Sequence, residues 1–395
     1  MTDHQPVSAT AVTSPPPVLA SYDEAMEAAR ALGPRLRGRI ADAERLRRLP
    51  DETVADLVES GLLGVMKPRR AGGSELGAET LVDVSAELAA QCASSGWVYM
   101  LWAAHMWLLA LWPAAAQEEM FADPAMVASS VVSTAGAVER VAGGYRWTGK
   151  GFFSSGVDHC QWLTAAVNVR DEETGAEGRK WFLIPRADFE VIDDWHVTGL
   201  RGTGSKTIVV AGAFIPPGRV LDDADIQRGT APGREVNPHP MYGAISQANF
   251  TAAMAAPAIG AARGLLAAYA GKLRRKPDAT VSMARYAAAA AQLDAVHALT
   301  VANTRRYATA PAAAVGPEGR AKCKRDYAYT AQQSRKAANA IYEECGGSGL
   351  AETSDLQRIW RDANAAAAHH GLTWDWQADL WTRAAFGLPV PGVNA

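Results

Sequence analysis

Three histidines are candidates for chemistry, His105 as a general base and the pair His369 and His370 as possible metal ligands. His105 lies in the most apolar stretch of the chain, between Trp97 and Trp112. A buried neutral imidazole is what a general base needs, although a core histidine with both nitrogens hydrogen-bonded fits the same position. His369 and His370 follow a polar helical segment, and adjacent side chains on a helix point about 100° apart. They cannot easily share one metal ion, and without an HExxH motif the sequence predicts no metal site.

A glycine-rich segment, residues 199–207, reads Gly-Leu-Arg-Gly-Thr-Gly-Ser-Lys-Thr. It is not a nucleotide phosphate loop, because Ser205 stands where the lysine is required and a strand-like run follows instead of a helix. Nor is it a dinucleotide fingerprint, because Thr207 stands where the third glycine is required. Its glycines let the backbone approach a flat or charged ligand, with the amides of Thr203, Gly204 and Ser205 as donors. The alternative is a glycine-rich turn without a ligand.

An aromatic–serine turn is the third candidate. The segment Phe152-Phe153-Ser154-Ser155-Gly156 separates two strand-like runs. Its phenyl rings can cover a planar ligand while a serine hydroxyl hydrogen-bonds a heteroatom of that ligand, although a plain β-turn explains the same residues. Near the C-terminus, Trp374, Trp376 and Trp381 either line an apolar pocket or cap the helices.

These candidates fall in three zones of the chain that differ in composition and in the spacing of apolar residues. Residues 1–20 are predicted to form a disordered tail, and residues 21–125 show apolar side chains at helical spacing. Residues 126–232 hold short β-rich runs separated by turn signals, which predict an antiparallel barrel or sandwich. Residues 233–395 are alanine-rich, with helical runs long enough for a four-helix bundle. Helices, strands and helices in that order predict an α+β fold.

Composition excludes several classes of protein. The 395 residues carry a formal net charge of -3, which offers no basic surface for nucleic acid. Four separated cysteines without a CxxC pair predict reduced thiols and a cytoplasmic protein. The apolar run from Trp97 to Trp112 is too short for a membrane span, contains His105 and stops at Pro113, so a buried helix is predicted.

In their order along the chain, these motifs resemble the acyl-CoA dehydrogenase superfamily over residues 25–385. The resemblance rests on four segments in the family's order and spacing: Ser154-Ser155-Gly156, Trp195 to Ser205, Gly346-Gly347-Ser348-Gly349, and Arg361-Asp362. It implies an N-terminal helical domain, a central β-domain and a C-terminal four-helix bundle, assembled as a homotetramer.

The departures from the family's dehydrogenase pattern indicate one branch. Dehydrogenases of this family usually carry Tyr-Glu-Gly after the Arg-Asp helix, and in many of them that glutamate removes an α-proton. Here the stretch is Ala368-His369-His370-Gly371, so a histidine stands in place of the carboxylate. This is similar to the flavin-dependent monooxygenases that act on 4-hydroxyphenylacetate and on phenolic secosteroids. The runs Cys92 to Trp97, Phe153 to Trp162 and Trp195 to Lys206 resemble the secosteroid-phenol enzymes most.

The resemblance also implies roles for individual residues. By position, His105 matches a substrate-side histidine, Ser155 a serine near the flavin N5, and His370 a C-terminal active-site histidine, with His369 the less favoured choice. Ser130 falls near a second substrate-side serine. The combined predictions are catalytic residues His105, Ser155 and His370; flavin-binding residues Phe153, Ser154, Ser155, Thr203, Gly204, Ser205, Gly346 and Gly347; and substrate-side residues Ser130, Trp102, His369 and Trp374.

The implied activity is hydroxylation of a phenolic or other electron-rich aromatic substrate, through a C4a-hydroperoxyflavin. The cosubstrates are O2 and reduced flavin, as FMNH2 or FADH2. Because the chain has no nicotinamide-binding fingerprint, a separate NAD(P)H-dependent flavin reductase must supply the reduced flavin. Three alternatives stay open: an acyl-CoA dehydrogenase with a displaced base, a nitrogen- or sulfur-oxidising enzyme on the same fold, and a non-catalytic flavin-binding protein.

Overall fold

The computed structural model describes residues 15–170, 177–275 and 278–391, and it confirms the α+β order of helices, strands and helices. Residues 1–14, most of the predicted tail, lie outside the described residues. Ser21 caps the start of helix α1, because its hydroxyl accepts a hydrogen bond from the Glu24 amide. The N-terminal helices are α1 (Tyr22–Gly38), α2 (Ile40–Leu46), α3 (Asp51–Glu59), α4 (Ala78–Gln91), α5 (Ala93–Leu109) and α6 (Ala114–Phe121).

The central β-domain is a sandwich of two four-stranded sheets, with strand orders β1-β4-β5-β8 and β2-β3-β7-β6. Its strands are β1 (Ala128–Val131), β2 (Ser133–Val141), β3 (Gly144–Ser154), β4 (Trp162–Arg170), β5 (Glu177–Pro185), β6 (Glu190–Ile192), β7 (Lys206–Ile215) and β8 (Val220–Asp222). Side chains between the sheets, among them Trp147, Phe182 and Ile208, form a core of their own.

One strand pair departs from the antiparallel arrangement that the sequence predicts. Strand β1 pairs with β4 in parallel, with Ala128 opposite Trp162. The chain leaves β1 for the β2–β3 hairpin of the other sheet and returns to its first sheet at β4. A crossover of this kind brings a strand back in the same direction, which the short spacing of the β-rich runs did not reveal.

The C-terminal helices are α7 (Asp223–Arg228), α8 (Ala252–Leu273), α9 (Thr280–Tyr307), α10 (Pro317–Glu343), α11 (Asp355–Ala366) and α12 (Trp374–Ala385). Helix α8 packs against α4, α9, α10 and α11. A Cβ on Gly260 would lie 2.2 Å from the Ala86 carbonyl oxygen, so α8 and α4 approach at backbone distance. Together with the turn before it, α8 is apolar and long enough to cross a membrane, but 78% of its apolar window is buried in this fold.

Helix α5 joins the three parts of the molecule. Every residue of α5 except Leu101 is buried, so the buried helix predicted for the apolar run is confirmed. It contacts α4 and α8 among the helices, β1 in the β-domain, and α11 near the C-terminus. Side chains of this one helix can therefore reach both the β-domain and the bundle.

The glycine-rich segment is anchored to α11. Asp362 accepts a hydrogen bond from the Leu200 amide at 2.7 Å, and Arg361 donates to the Thr198 carbonyl oxygen. A Cβ on Gly199 would lie 2.5 Å from the Arg361 carbonyl oxygen, so only glycine fits without displacing the helix. The glycine-rich segment and the Arg-Asp pair are separate motifs in the sequence, and in the structure they are hydrogen-bonded to each other.

Candidate active site

Two residues of strand β1 form hydrogen bonds with the two ring nitrogens of His105. The Nδ1 atom lies 2.8 Å from the Ala128 carbonyl oxygen, and Nε2 lies 2.8 Å from the Ser130 hydroxyl. A carbonyl oxygen can only accept, so Nδ1 carries the proton. The side chain is completely buried, and burial lowers its pKa from 6.5 to about 4, which keeps the ring neutral at neutral pH. Because Nε2 is then an acceptor, the Ser130 hydroxyl donates to it.

The two serines of β1 contact different partners, as successive residues of a strand do. Ser130 contacts the histidine, whereas Ser129 contacts the aromatic–serine turn. Ser129 Oγ donates to the Ser155 carbonyl oxygen at 2.8 Å, and the Ser154 hydroxyl lies 2.8 Å from Ser129 Oγ. Since Ser154 is completely buried, its hydroxyl stabilises the turn from inside.

The Ser155 hydroxyl belongs to a chain of hydrogen bonds. The Trp97 indole N–H donates to Ser155 Oγ at 3.1 Å, and Ser155 Oγ lies 2.7 Å from Ser205 Oγ. Ser205 Oγ lies 2.7 Å from Thr203 Oγ1, which donates to the Leu200 carbonyl oxygen at 2.8 Å. The structure thus joins the aromatic–serine turn directly to the glycine-rich segment, with Trp97 of α5 as a third partner.

At Gly156 the aromatic–serine turn is packed so closely that a side chain would not fit. Gly156 has a φ of +69°, and a Cβ there would lie 2.7 Å from Trp102 Nε1. The Gly156 amide donates to the Thr203 carbonyl oxygen at 2.8 Å. Trp102, predicted on the substrate side, is completely buried and lies against this turn.

Phe153 presents an exposed aromatic surface beside these hydroxyls. Its side chain is 69% exposed, and its φ of +63° is a left-handed conformation that bulky residues rarely adopt. The Trp195 ring stands nearly perpendicular to the Phe153 ring at 6.4 Å. An aromatic surface next to a buried hydrogen-bonding group fits a flat ring with heteroatoms, and the isoalloxazine of a flavin is such a ring.

His369, rather than His370, contacts the residues around Ser155. The His369 ring lies 5.7 Å from the Trp97 ring and 4.5 Å from the His370 ring. Burial lowers the pKa of His369 to about 3, and its Nδ1 accepts a hydrogen bond from the Gly371 amide at 3.1 Å. His370 is exposed. The sequence preference for His370 stays a prediction, while the contacts of the chain favour His369.

The remaining predicted residues belong to the bundle. Gly346 and Gly347 form an exposed turn after α10. Trp374 begins α12, and its ring packs 5.6 Å from Tyr329. In the part of the chain that the structure describes, no cluster of three or more His, Cys, Asp and Glu side chains is placed to hold a metal ion.

Sequence reasoning missed Trp97, Ser129 and Phe250. Trp97 lies eight residues before His105, slightly more than two helical turns, so helical spacing offered a signal for it. The role of Ser129 depends on the register of β1, which sequence does not fix. Phe250 packs 5.6 Å from the His105 ring and is distant in the chain, so nothing in the sequence pattern indicated it.

Comparisons with known proteins agree with this architecture. The N-terminal domain model of the acyl-CoA dehydrogenases matches residues 24–126, and their C-terminal domain model matches residues 252–374. A pigment production hydroxylase of Rhodococcus sp. is 34% identical, over 93% of this chain and 97% of the relative. The oxygenase component of an FADH2-dependent resorcinol hydroxylase of Rhizobium sp. is 32% identical, over 88% of this chain and 90% of the relative.

Solved structures show the same likeness. The HsaA monooxygenase from M. tuberculosis superposes with a TM-score of 0.89 at 33% identity, covering 94% of this chain and 98% of that one. XiaF from Streptomyces sp., solved in complex with FADH2 and glycerol, gives a TM-score of 0.87 at 28% identity, covering 95% and 97%. Because these likenesses extend over nearly the whole chain, the protein belongs to the acyl-CoA dehydrogenase superfamily, within the branch of flavin-dependent monooxygenase oxygenase components.

Proposed function

We propose that this protein hydroxylates a phenolic ring, and that the buried His105–Ser130 pair handles the phenolic proton. The observation that carries the proposal is the tautomer of His105: the Ala128 carbonyl fixes the proton on Nδ1, and Nε2 is left to accept from Ser130. Reduced flavin, when bound, supplies two electrons and the position at which O2 is activated. The protein must keep this site dry, orient the phenol and control one proton.

In this proposal the phenol contacts Ser130 and not the histidine itself. His105 is completely buried, whereas Ser130 is half-buried and its hydroxyl proton is committed to His105 Nε2. The Ser130 oxygen therefore keeps lone pairs that can accept from a phenolic O–H. Proton movement from the phenol to Ser130, and from Ser130 to His105, then proceeds along existing hydrogen bonds.

The pKa of His105 limits what this pair can do. An ordinary phenol has a pKa of about 10, and the pKa of His105 is lowered by burial to about 4. Complete deprotonation before the reaction is therefore strongly uphill. The pair instead polarises the phenol, which raises electron density at the ring carbon beside the hydroxyl, and takes the proton as that carbon is oxidised.

Ser155, Phe153 and the segment Thr203 to Ser205 form the proposed flavin side. Ser155 and Ser205 are buried, so their hydrogen bonds are shielded from water. Phe153 offers its exposed ring to a planar cofactor. His369, held against Trp97, would close the site from the bundle side and hydrogen-bond an oxygen of the substrate or of the activated oxygen.

Three further proposals concern partners and surroundings. The relative named as FADH2-dependent and the structure solved with FADH2 favour FAD over FMN for this chain. An oxygenase of this kind needs a separate flavin reductase. We also propose that the protein is cytoplasmic and that it assembles as a homotetramer. Helix α9 supports the assembly, because it leaves an alanine-rich face exposed in the single chain.

The decisive experiment is His105→Ala in a reductase-coupled assay with FADH2, O2 and a phenol. We expect hydroxylated product to fall roughly 10²- to 10⁴-fold, which is the range for a positioned acid–base group. Oxygen consumption should continue and appear as hydrogen peroxide, because the flavin side is unchanged. Ser130→Ala should change product in the same direction.

His297→Asn is the matched control, because His297 lies on α9 and contacts Asp83, outside the proposed site. It should keep the parent rate. Hydroxylation at the parent rate by His105→Ala would exclude this role for the histidine. Oxidation of an acyl-CoA with an artificial electron acceptor would instead support a dehydrogenase, and turnover of an amine or sulfide without any phenol hydroxylation would support nitrogen or sulfur oxidation.

A further inference from the structure

The hydrogen-bond chain that includes Ser155 has one favoured direction. Each serine or threonine hydroxyl carries a single proton, and two oxygens within hydrogen-bond distance need one proton between them. At its far end the chain meets the Leu200 carbonyl oxygen, which has no proton to give. The 2.8 Å contact between Thr203 Oγ1 and that oxygen is therefore made by the threonine proton.

The donor in each of the other two hydroxyl contacts follows from this assignment. Since the Thr203 proton is committed to Leu200, the 2.7 Å contact between Thr203 and Ser205 needs the Ser205 proton. The 2.7 Å contact between Ser205 and Ser155 then needs the Ser155 proton. Trp97 N–H, which can only donate, occupies one lone pair of Ser155 Oγ. Among the described residues, one lone pair of Ser155 Oγ therefore stays free, while its proton is used in the contact with Ser205.

We infer that Thr203 and Ser205 are positioning residues that make the enzyme select reduced over oxidised flavin, by presenting Ser155 as an acceptor. This rests on the proposed function, which puts the flavin beside Ser155, and on the resemblance that matches Ser155 to a serine near the flavin N5. Reduced flavin carries a proton on N5 and can donate to the free lone pair of Ser155. Oxidised flavin has a lone pair on N5 instead of a proton. That lone pair would face the free lone pair of Ser155 Oγ, so no hydrogen bond forms between the two atoms.

Burial makes this direction persist. The side chains of Ser155, Ser205 and Thr203 are 5%, 7% and 1% exposed, so water has little access to supply an alternative donor or acceptor. The Leu200 carbonyl oxygen also accepts from the Thr203 amide and the Trp195 indole N–H, but reversing the chain would leave that oxygen and Thr203 Oγ1 2.8 Å apart with no proton between them. An unmade buried hydrogen bond is unfavourable, so the acceptor state of Ser155 is built into the fold.

The test compares the dissociation constants of FADH2, measured anaerobically, and of FAD for each variant. The ratio of the two constants cancels general effects of a substitution on folding. In Ser205→Ala the Ser155 proton loses its acceptor and becomes free to donate to oxidised N5. In Thr203→Val the Ser205 proton turns towards Ser155 with the same result. Each should reduce the preference for FADH2 by roughly threefold to tenfold, the effect of one hydrogen bond.

The conservative variants Ser205→Thr and Thr203→Ser keep the hydroxyls and should keep the parent ratio. Thr164→Val is the matched control, because Thr164 is a completely buried hydroxyl of the same β-domain outside the chain. A parent ratio in both Ser205→Ala and Thr203→Val, or a parent protein that binds FAD as tightly as FADH2, overturns the inference alone. A parent protein that binds neither form overturns the proposed function as well.

Discussion

Two imidazoles of the proposed site stay neutral because the fold buries them. Burial lowers the pKa of His105 to about 4 and that of His369 to about 3, well below neutral pH. A neutral imidazole can accept a proton or a hydrogen bond without the field of a fixed positive charge. His105 is held by backbone and serine, and His369 by the Trp97 ring and the Gly371 amide.

His369 is half-buried and the adjacent His370 is exposed, and this difference gives a prediction at the residue scale. His369→Asn should lower product formed per O2 consumed by roughly threefold to tenfold, because the shorter asparagine side chain cannot place a hydrogen-bonding group where the imidazole Nε2 lies. His370→Asn should stay within about twofold, as exposed substitutions usually do. Product and hydrogen peroxide, quantified in the same reductase-coupled assay, measure both. Equal effects of the two variants would contradict the assignment to His369, and a larger effect of His370→Asn would assign the role to His370.

At the scale of elements, α11 and the glycine-rich segment depend on each other. Asp362 of α11 is buried at 3% exposure and accepts the Leu200 amide, and Leu200 supplies the carbonyl at which the hydroxyl chain ends. Leu200 itself has a φ of +55°, a left-handed conformation that needs support from its neighbours. The direction of the hydroxyl chain is thus coupled to a helix that begins more than 150 residues later.

Asp362 makes the stability of the contact between α11 and the glycine-rich segment depend on pH. Burial raises the pKa of its carboxyl from 3.8 to about 6, so folding favours the protonated form. A group whose pKa is raised on folding contributes stability below its unfolded pKa and loses that contribution as pH rises through its folded pKa. Between pH 4 and pH 6 this carboxyl should lower the free energy of unfolding by roughly 3 kcal/mol, since one pKa unit is about 1.4 kcal/mol.

Asp362→Asn tests this coupling, because asparagine keeps an oxygen for the Leu200 amide and cannot ionise. The variant should lack the fall in stability between pH 4 and pH 6, and above pH 7 its free energy of unfolding should equal or exceed that of the parent. Denaturant unfolding at several pH values measures it. Asp375→Asn, which removes an exposed carboxylate in the first turn of α12, should follow the parent curve. Parallel curves for Asp362→Asn and the parent would refute the assignment.

At the scale of the whole molecule, α9 is the element that the single chain leaves incomplete. Its 28 residues span about 42 Å. A face of small side chains is exposed along it at alternating intervals of four and three residues, the spacing of a helix–helix seam: Ala284, Ala288, Ala291, Ala295, Ala298 and Ala302. Alanines let a second helix approach closely, which supports the proposed homotetramer.

Ala291→Glu places a charge in the middle of this face. We expect it to dissociate the assembly, because a buried unpaired carboxylate is strongly unfavourable in a helix–helix interface. Size-exclusion chromatography with light scattering measures the mass of the particles. Ala122→Glu, an exposed alanine at the end of α6, is the matched control and should keep the parent mass. A parent protein that is monomeric, or an unchanged mass for Ala291→Glu, would place any assembly on another face.

The amino-acid sequence by itself determined the order of the zones, the buried helix and the family. Periodicity of apolar side chains predicts α5 and the bundle helices, since burial of one face is a local property of a segment. The histidine at residue 370, where the dehydrogenase pattern has a glutamate, separates this chain from that pattern without any coordinates.

Only the tertiary structure decided which side chains meet. The parallel pairing of β1 and β4 depends on the path of the chain through the other sheet. The choice between Ser129 and Ser130 depends on strand register, because a shift of one residue exchanges the two faces. The hydrogen bond from Trp97 to Ser155 joins residues 58 positions apart, and that from Leu200 to Asp362 joins residues 162 apart. Contacts at such separation arise from packing of whole elements, which no local pattern of residues records.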